Sequence, residues 1–167
     1  MAVIPTIETE RLILRPITME DWPDFSALMQ SDRAAYMGGP MSKEKAWGAF
    51  CHDVALWPLM GHGALMIAER GSGRCLGQVG INHGPLFPEH EIGWLVYPHA
   101  EGKGIAFEAA KAFRDWGLKE RGLQTLVSYV DPDNIRSCRL AERLGAKLDA
   151  QAPRNDPRDL VYRHAVT

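Results

Sequence analysis

The sequence has few cysteines, no long apolar run and no excess of either charge. Its three cysteines, Cys51, Cys75 and Cys138, lie far apart and form no C-x-x-C pair, which argues against a disulfide framework and a cysteine zinc site. The formal net charge of −2 gives no basic surface for a nucleic acid. No apolar run approaches the roughly 18 residues of a membrane span, and the opening MAVIPTIETERL lacks the basic and apolar segments of a signal peptide. We therefore expect a soluble cytoplasmic protein that binds neither nucleic acid nor membrane.

The histidines also lack a metal-binding pattern. The six of them include no i, i+4 pair and no H-E-x-x-H motif, which are the spacings that place imidazoles on one helix face around a zinc ion. We expect no metal.

What the sequence does have is a succession of short strand and helix patterns. Strands are predicted at residues 11–17, 63–70, 75–82, 91–97, 123–130, 146–150 and 159–166. Helices are predicted at residues 21–31, 42–57, 105–121 and 135–144. Pro58 should follow the end of the second helix, and Gly93 indicates a bulge in its strand. With 167 residues, 46% of them hydrophobic, residues 1–167 should form a single α/β (α+β) domain around a mostly antiparallel sheet.

The stretch HAEGKGIAFEAAK, residues 99–111, places two glycines in front of a helix. It is not a dinucleotide fingerprint, because Phe107 is too large at the third small position, and it is not a Walker A loop, because Gly104 follows Lys103. A glycine turn that opens a helix still offers several N–H groups and the positive end of the helix dipole, which suit a pyrophosphate. The alternative is a sharp turn with no ligand.

This stretch resembles the signature Q/R-x-x-G-x-G/A of the GNAT superfamily of N-acetyltransferases. Gly104 and Ala106 match its small positions. Glu101 departs from it, since Gln or Arg is usual there, and a carboxylate that pointed inward would weaken phosphate binding.

Three other segments extend the resemblance over about residues 7–147. IETERLILRPITMEDW (7–22), EIGWLVYP (91–98) and DPDNIRSCRLAERLGAK (131–147) are similar to segments of the branch that contains the ribosomal-protein N-terminal (alanine/serine) acetyltransferases. The resemblance implies a mixed, mostly antiparallel seven-stranded sheet with helices on both faces. Its fourth and fifth strands, 91–97 and 123–130, should splay apart.

The resemblance also implies acetyl-CoA as cosubstrate. The residues that would bind it, through backbone or side chain, are Leu95, Val96, Gly102, Lys103, Gly104, Ile105, Ala106, Asn134 and Ser137. Asn134 could instead be, or also be, a helix N-cap. Arg136, Arg139 and Arg143 form either a solvated face or a contact to the 3′-phosphate of CoA.

Two catalytic residues follow from the same resemblance. Glu91 is the expected base, acting directly or through water, and the alternative is a strand-end carboxylate in a salt bridge. Ser137 is the expected proton donor to the thiolate, because Ala141 stands where the family often has Tyr. Tyr97 and Tyr129 are further candidates, and a CoA thiol is acidic enough to make a dedicated acid dispensable.

The expected function is acetyl transfer to a primary amine by direct attack. The acceptor is a protein N-terminus, which the resemblance favours, or a small amine such as a polyamine, an amino acid or an aminoglycoside. The sequence leaves open whether the protein forms a homodimer. The alternative is a non-catalytic acyl-CoA-binding module or sensor, which Ala141 and Glu101 would support.

Overall fold

The computed structural model describes residues 3–166, in which the chain forms one mixed sheet flanked by helices. The strands are β1 (Ile7–Glu8), β2 (Leu12–Arg15), β3 (Ala64–Glu69), β4 (Cys75–Asn82), β5 (Glu91–Val96), β6 (Val127–Val130), β7 (Lys147–Leu148) and β8 (Leu160–Arg163). The helices are α1 (Trp22–Met29), α2 (Lys43–Met60), α3 (Ile105–Asp115) and α4 (Ile135–Arg143). Short 3-10 helices occur at Met19–Asp21, Asp32–Met37 and Pro98–Ala100, and a π-helical turn at Trp116–Glu120 follows α3.

The sheet order is β1-β2-β3-β4-β5-β6-β8-β7, and neighbouring strands are antiparallel except for β5 and β6. Along β3, Leu65 and Ile67 pack in the cluster that contains Phe113 of α3, whereas Met66 packs against Leu28 of α1. Successive strand residues point to opposite faces, so helices cover both faces. The predicted mixed, mostly antiparallel fold with helices on both faces is confirmed.

The sheet has one strand more than the seven predicted. β1 precedes β2 and pairs with it through Ile7↔Leu14 and Glu8↔Ile13. Two residues are too few to show the apolar–polar alternation from which a strand is predicted.

The second helix is longer than predicted, because α2 continues through Pro58 to Met60 and ends at Gly61. Proline removes one backbone hydrogen bond from a helix. The residue before Pro58 opposes this loss, because Trp57 is 2% exposed and its indole N–H donates to the Ala64 carbonyl at 3.0 Å.

The predicted bulge at Gly93 is wrong. The register between β4 and β5 runs unbroken from Gly77↔Val96 to Asn82↔Glu91. Gly93 serves another purpose, because a Cβ atom at this position would lie 3.0 Å from Oε1 of Glu91. The glycine makes room for that carboxylate.

The predicted splay of residues 91–97 from residues 123–130 is confirmed. The parallel pairing of β5 with β6 is described at Glu91↔Val127. The strands diverge beyond this pair, which leaves one edge of β5 open towards the carboxyl end of the strand.

No helix within residues 3–166 combines the length and the hydrophobicity that crossing a membrane requires.

Candidate active site

Two concave regions meet at the open edge of β5. The first, the helix-end groove, is a space of about 510 Å³ lined by the turn before α3, the first residues of α3, one side of α4 and the segment 32–37. The second, the sheet cavity, is a space of about 800 Å³ between β4, β5, α2 and the loop before β5. The residues that line both are Tyr36, Met37, Trp94, Leu95, Asn134 and Ser137.

The turn before α3 has the geometry predicted for an anion site. Gly102 and Gly104 have φ values of 75° and 74°, which lie in the left-handed region that residues other than glycine rarely adopt. α3 then begins at Ile105, and its first N–H groups have no partner inside the helix. Gly102, Gly104, Ile105 and Ala106 all line the helix-end groove. This end of the helix therefore presents N–H groups and a positive dipole to the groove.

The side chain of Lys103 is not among the lining residues. Its ammonium group donates to the His99 carbonyl at 3.3 Å, and its own carbonyl accepts from Arg11 at 2.8 Å. Arg11 also donates to Glu108 in the first turn of α3 at 2.7 Å. Arg11 therefore fixes the turn to the helix that it opens, and Lys103 is the one predicted residue of this turn that does not line the groove.

Glu101 is paired with two arginines at the wall of the helix-end groove. Its carboxylate forms ion pairs with Arg33 from the segment 32–37 and, at 3.3 Å, with Arg136 of α4. The negative charge is thus balanced by two guanidinium groups that also line the groove. Sequence reasoning missed Arg33, and the unusual carboxylate at Glu101 was the one signal that a cation lies nearby.

The arginines of α4 divide into two groups. Arg136 and Arg143 line the helix-end groove, and the Arg143 guanidinium lies 4.7 Å from the centroid of the Phe107 ring. Arg139 is exposed and is not among the lining residues. Since Arg136 and Arg143 are seven residues apart, two helical turns place both on one face.

Asn134 and Ser137 lie where the two spaces join. The Asn134 side chain caps α4, because its Oδ1 accepts from the Ser137 N–H at 3.4 Å, so the predicted N-cap is confirmed. The Ser137 hydroxyl accepts from the indole N–H of Trp94 at 3.2 Å. Trp94 is a further site residue that the sequence did not single out.

The backbone of β5 offers a donor to the gap between β5 and β6. Strand residues alternate in the side to which they direct their backbone groups. The Tyr97 N–H donates to the Leu76 carbonyl of β4 at 2.9 Å, whereas the Ile92 carbonyl accepts from the Ser128 hydroxyl of β6 at 2.7 Å. The alternation therefore directs the N–H groups of Trp94 and Val96 to the open edge and that of Leu95 to β4. Of the two β5 residues expected to bind acetyl-CoA, Leu95 and Val96, it is Val96 whose N–H faces the open edge.

Glu91 is a titratable group of the sheet cavity whose pKa is shifted by burial. It is partly buried among the lining residues, and Oε2 accepts from the Asn82 amide at 2.8 Å. Burial raises the pKa of Glu91 to about 7, against the opposing effect of the Asn82 hydrogen bond and with a smaller contribution from the charge of Asp53. Among the described residues the partner of Glu91 is an amide, not the cation that a strand-end salt bridge would supply.

Residues 11–147 match the family described as "Acetyltransferase (GNAT) domain". The chain belongs to this family. Three similar proteins show the range of its relatives. The crystal structure of an acetyltransferase from Agrobacterium tumefaciens str. C58 is 55% identical, covers 98% of this chain and 95% of its own, and has a TM-score of 0.95. The spermidine N(1)-acetyltransferase of Escherichia coli (strain K12) is 30% identical over 53% of this chain and 46% of its own.

The third similar protein shares the fold. It is the ribosomal-protein-S5-alanine acetyltransferase from Vibrio fischeri, 18% identical over 96% of this chain and 95% of its own, with a TM-score of 0.71. The alignments to the first curated relatives, two proteins of Bacillus subtilis (strain 168), span 38% and 49% of their lengths.

The tyrosines proposed as proton donors in this GNAT chain occupy different environments. Tyr97 is 2% exposed and packs against Leu28 and Met66, and it does not itself line either of the two spaces. Tyr129 lines the sheet cavity, and its hydroxyl accepts from the Glu89 N–H at 3.1 Å. Burial raises the pKa of both phenols, which makes each a weaker acid.

Between residues 3 and 166 no three His, Cys, Asp or Glu side chains are grouped so that they could hold a metal ion.

Proposed function

We propose that this GNAT chain transfers the acetyl group of acetyl-CoA to a primary amine by direct attack, with Glu91 as the base. The observation that carries the proposal is the placement of Glu91, a carboxyl group with a pKa near 7, in the sheet cavity. This cavity meets the helix-end groove at Leu95 and Ser137. A base with a pKa near the working pH can both accept and release a proton efficiently.

The helix-end groove fits the phosphates of CoA. The pyrophosphate would lie on N–H groups of Gly102, Lys103, Gly104 and Ala106, where the α3 dipole favours negative charge. Arg136 and Arg143 supply positive charge along the same groove.

The pantetheine arm would follow the open edge of β5, where backbone groups bind an extended ligand as they would bind a strand. Asn134 and Ser137 flank the path from the groove to the sheet cavity. The thioester would then lie where the two spaces join.

The reaction proceeds in one transfer. Glu91 takes a proton from the ammonium form of the acceptor through water, and the amine nitrogen attacks the thioester carbon. The N–H of Val96, which faces the gap between β5 and β6, stabilises the negative oxygen that develops on that carbon. The C–S bond then breaks, the nitrogen loses its second proton as the amide forms, and this proton passes through the Ser137 hydroxyl or through water to the thiolate of CoA.

The test has three parts. Acetyl-CoA at about 100 times its Kd should stabilise the fold by roughly 2.7 kcal/mol, and the absence of a thermal shift would overturn CoA binding. Free thiol release should follow when an amine panel is added, whereas binding without release on any amine would favour the non-catalytic module or sensor. The rate with wild type should rise with pH through about 7. Glu91→Gln should be slow and lack this rise, and an unchanged profile would remove Glu91 from the role of base.

A further inference from the structure

The floor of the sheet cavity is unusually flat. Ala64, Gly80 and Gly93 lie side by side on β3, β4 and β5 and form a row of small residues across three strands. All three line the cavity, whose volume of about 800 Å³ is in the range of pockets that enclose a small organic ligand. The space above this row can therefore admit a bulky group.

The walls above this floor are apolar and adaptable. Phe25 and Met29 come from α1, Met41 precedes α2, and Phe87 comes from the loop before β5. Phe25 and Met29 are 1% and 6% exposed, so these walls are anchored in the core. Methionine side chains adjust to apolar groups of different shape. The walls thus favour a ligand with an apolar body.

Asp53, besides Glu91, presents a carboxylate to this cavity, and its ion-pair partner among the described residues is a histidine. Asp53 on α2 lines the cavity and keeps 19% of its side chain exposed. Its Oδ2 accepts from the Gln78 amide at 2.7 Å. Its Oδ1 forms an ion pair at 3.5 Å with Nδ1 of His52, and Asp53 raises the pKa of that imidazole. An ammonium group at Oδ1 would therefore compete with a histidine and not with a permanently charged lysine or arginine.

Gln78 supplies a second, independent sign of a ligand. It is 6% exposed and lines the cavity, and its Oε1 has no hydrogen-bond partner among the described residues. Leaving a buried carbonyl oxygen unpaired costs about 1–3 kcal/mol. Because the amide nitrogen of Gln78 donates to Asp53, its Oε1 is left to accept a hydrogen bond from a group that enters the cavity.

These two residues lie next to the reacting groups of the proposed function. Gln78 is directly opposite Leu95 in the register of β4 and β5, and Leu95 lines both spaces. Glu91 is on the same face of β5 as Leu95, and its carboxylate lies beside Gly93, between the two residues. An amine bound between Asp53 and Gln78 would therefore be close to the thioester and within reach of the base through water.

The charges around the cavity suit one positive charge better than several. Lys45 lines the same cavity and would repel a second ammonium group. Asp131 also lines the cavity, but its carboxylate is paired with Arg158 at 2.8 Å. A polyamine would thus leave at least one of its charges against Lys45 or the apolar walls, where an unpaired charge is costly.

We propose that the acceptor is a small primary amine with a single positive charge on an apolar body, and that Asp53, held in place by Gln78, binds its ammonium group. This inference rests on the proposed acetyl transfer. Asp53 determines specificity, whereas Glu91 removes the proton.

The test compares three acceptors and two readouts. The acceptors are 2-phenylethylamine, spermidine and the tripeptide amide Ala-Gly-Gly-NH2. The readouts are thiol release with acetyl-CoA and calorimetric binding of each amine to protein saturated with CoA. We expect 2-phenylethylamine to have the highest kcat/KM and the lowest Kd, because its one charge and its ring match the cavity.

Two variants make the test specific. Asp53→Asn should raise KM and Kd for 2-phenylethylamine about tenfold or more, as expected for a hydrogen bond to a charged group, and change kcat less than threefold. The KM for acetyl-CoA should not change.

Asp24→Asn removes an exposed carboxylate of α1 outside the cavity and should change none of these constants. Lys45→Gln should improve spermidine relative to 2-phenylethylamine.

The outcomes separate this inference from the proposed function. A preference for spermidine or for the tripeptide, with thiol release intact, overturns the acceptor class and leaves acetyl transfer standing. Binding of 2-phenylethylamine that depends on Asp53, without thiol release, supports the ammonium site and overturns the transfer. An Asp53→Asn variant with unchanged KM and Kd overturns the role of Asp53.

Discussion

Replacing Glu91 by Gln should stabilise the fold while abolishing the proposed chemistry. Burial raises the pKa of Glu91 from 4.5 to about 7, so the folded chain holds this proton more tightly than the unfolded chain does. Wild type therefore loses stability as pH rises from about 4.5 to about 7, and above that range it carries the full penalty of a buried charge. Gln imitates the protonated carboxyl group and avoids the penalty.

The magnitude follows from the same pKa. At 1.36 kcal/mol per pKa unit, the rise from 4.5 to about 7 corresponds to a maximum gain of about 3 kcal/mol. We expect Glu91→Gln to have a higher free energy of unfolding than wild type by about 2–3 kcal/mol at pH 8, and by nearly nothing at pH 4.5. Urea denaturation at both pH values measures the two differences.

The free energy of unfolding of the variant must be compared with that of wild type at each pH, because histidines titrate in the same pH range as Glu91. The pKa values of His90 and His164 are lowered to about 4 by burial first of all. Their unfolded forms bind protons more readily, so wild type gains stability from them as pH rises from about 4 to 6.5. This effect is common to both proteins and cancels in the comparison.

A neighbouring carboxylate provides the matched control. The Arg163 guanidinium, which binds both oxygens of Glu89 at 2.9 and 3.0 Å, lowers the pKa of Glu89. The ion pair of Glu89 with Arg163 stabilises the fold above the ordinary pKa of a glutamate, and this stabilisation is lost as pH falls. Glu89→Gln should therefore destabilise the protein at pH 8. If Glu91→Gln were no more stable than wild type at pH 8, or gained as much at pH 4.5, the assignment of a raised pKa to Glu91 would be refuted.

Three further predictions concern the geometry of the site. Gly93→Ala places a Cβ atom 3.0 Å from Oε1 of Glu91 and should displace the carboxylate. We expect kcat to fall about tenfold or more while the Kd for acetyl-CoA stays unchanged. An unchanged kcat would show that Glu91 need not be held in this position. Glu101→Gln removes a carboxylate beside the proposed phosphate site and should lower the Kd for acetyl-CoA several-fold in calorimetry; weaker binding would mean instead that Glu101 is needed to position Arg33 and Arg136. Arg11→Ala removes the contacts that fix the turn before α3 and should raise the Kd for acetyl-CoA, whereas an unchanged Kd would show that the turn holds its shape without them.

Much of the fold and part of the site could be predicted from local sequence. The turn at Gly102 and Gly104, the helix that follows and the cap at Asn134 all depend on a few adjacent residues, and the structure has them where the sequence placed them. The bulge at Gly93 was predicted wrongly because a glycine in a strand has two explanations, an irregular pairing or a close contact. The unbroken register of β4 and β5 excludes the first explanation, and the Glu91 side chain beside Gly93 supports the second.

The sequence by itself determined the order of strands and helices from β2 onward, the glycine turn that opens α3 and the resemblance that pointed to Glu91, because each of these depends on neighbouring residues. The tertiary structure alone decided the pairing of Glu101 with Arg33 and Arg136, the raised pKa of Glu91 and the meeting of Asp53 with Gln78. Arg33 and Glu101 are far apart in the chain, as are Asp53 and Gln78, and local patterns carry no information on such pairs. Burial and charge compensation depend on what the fold brings together, and that is where the site acquires its chemistry.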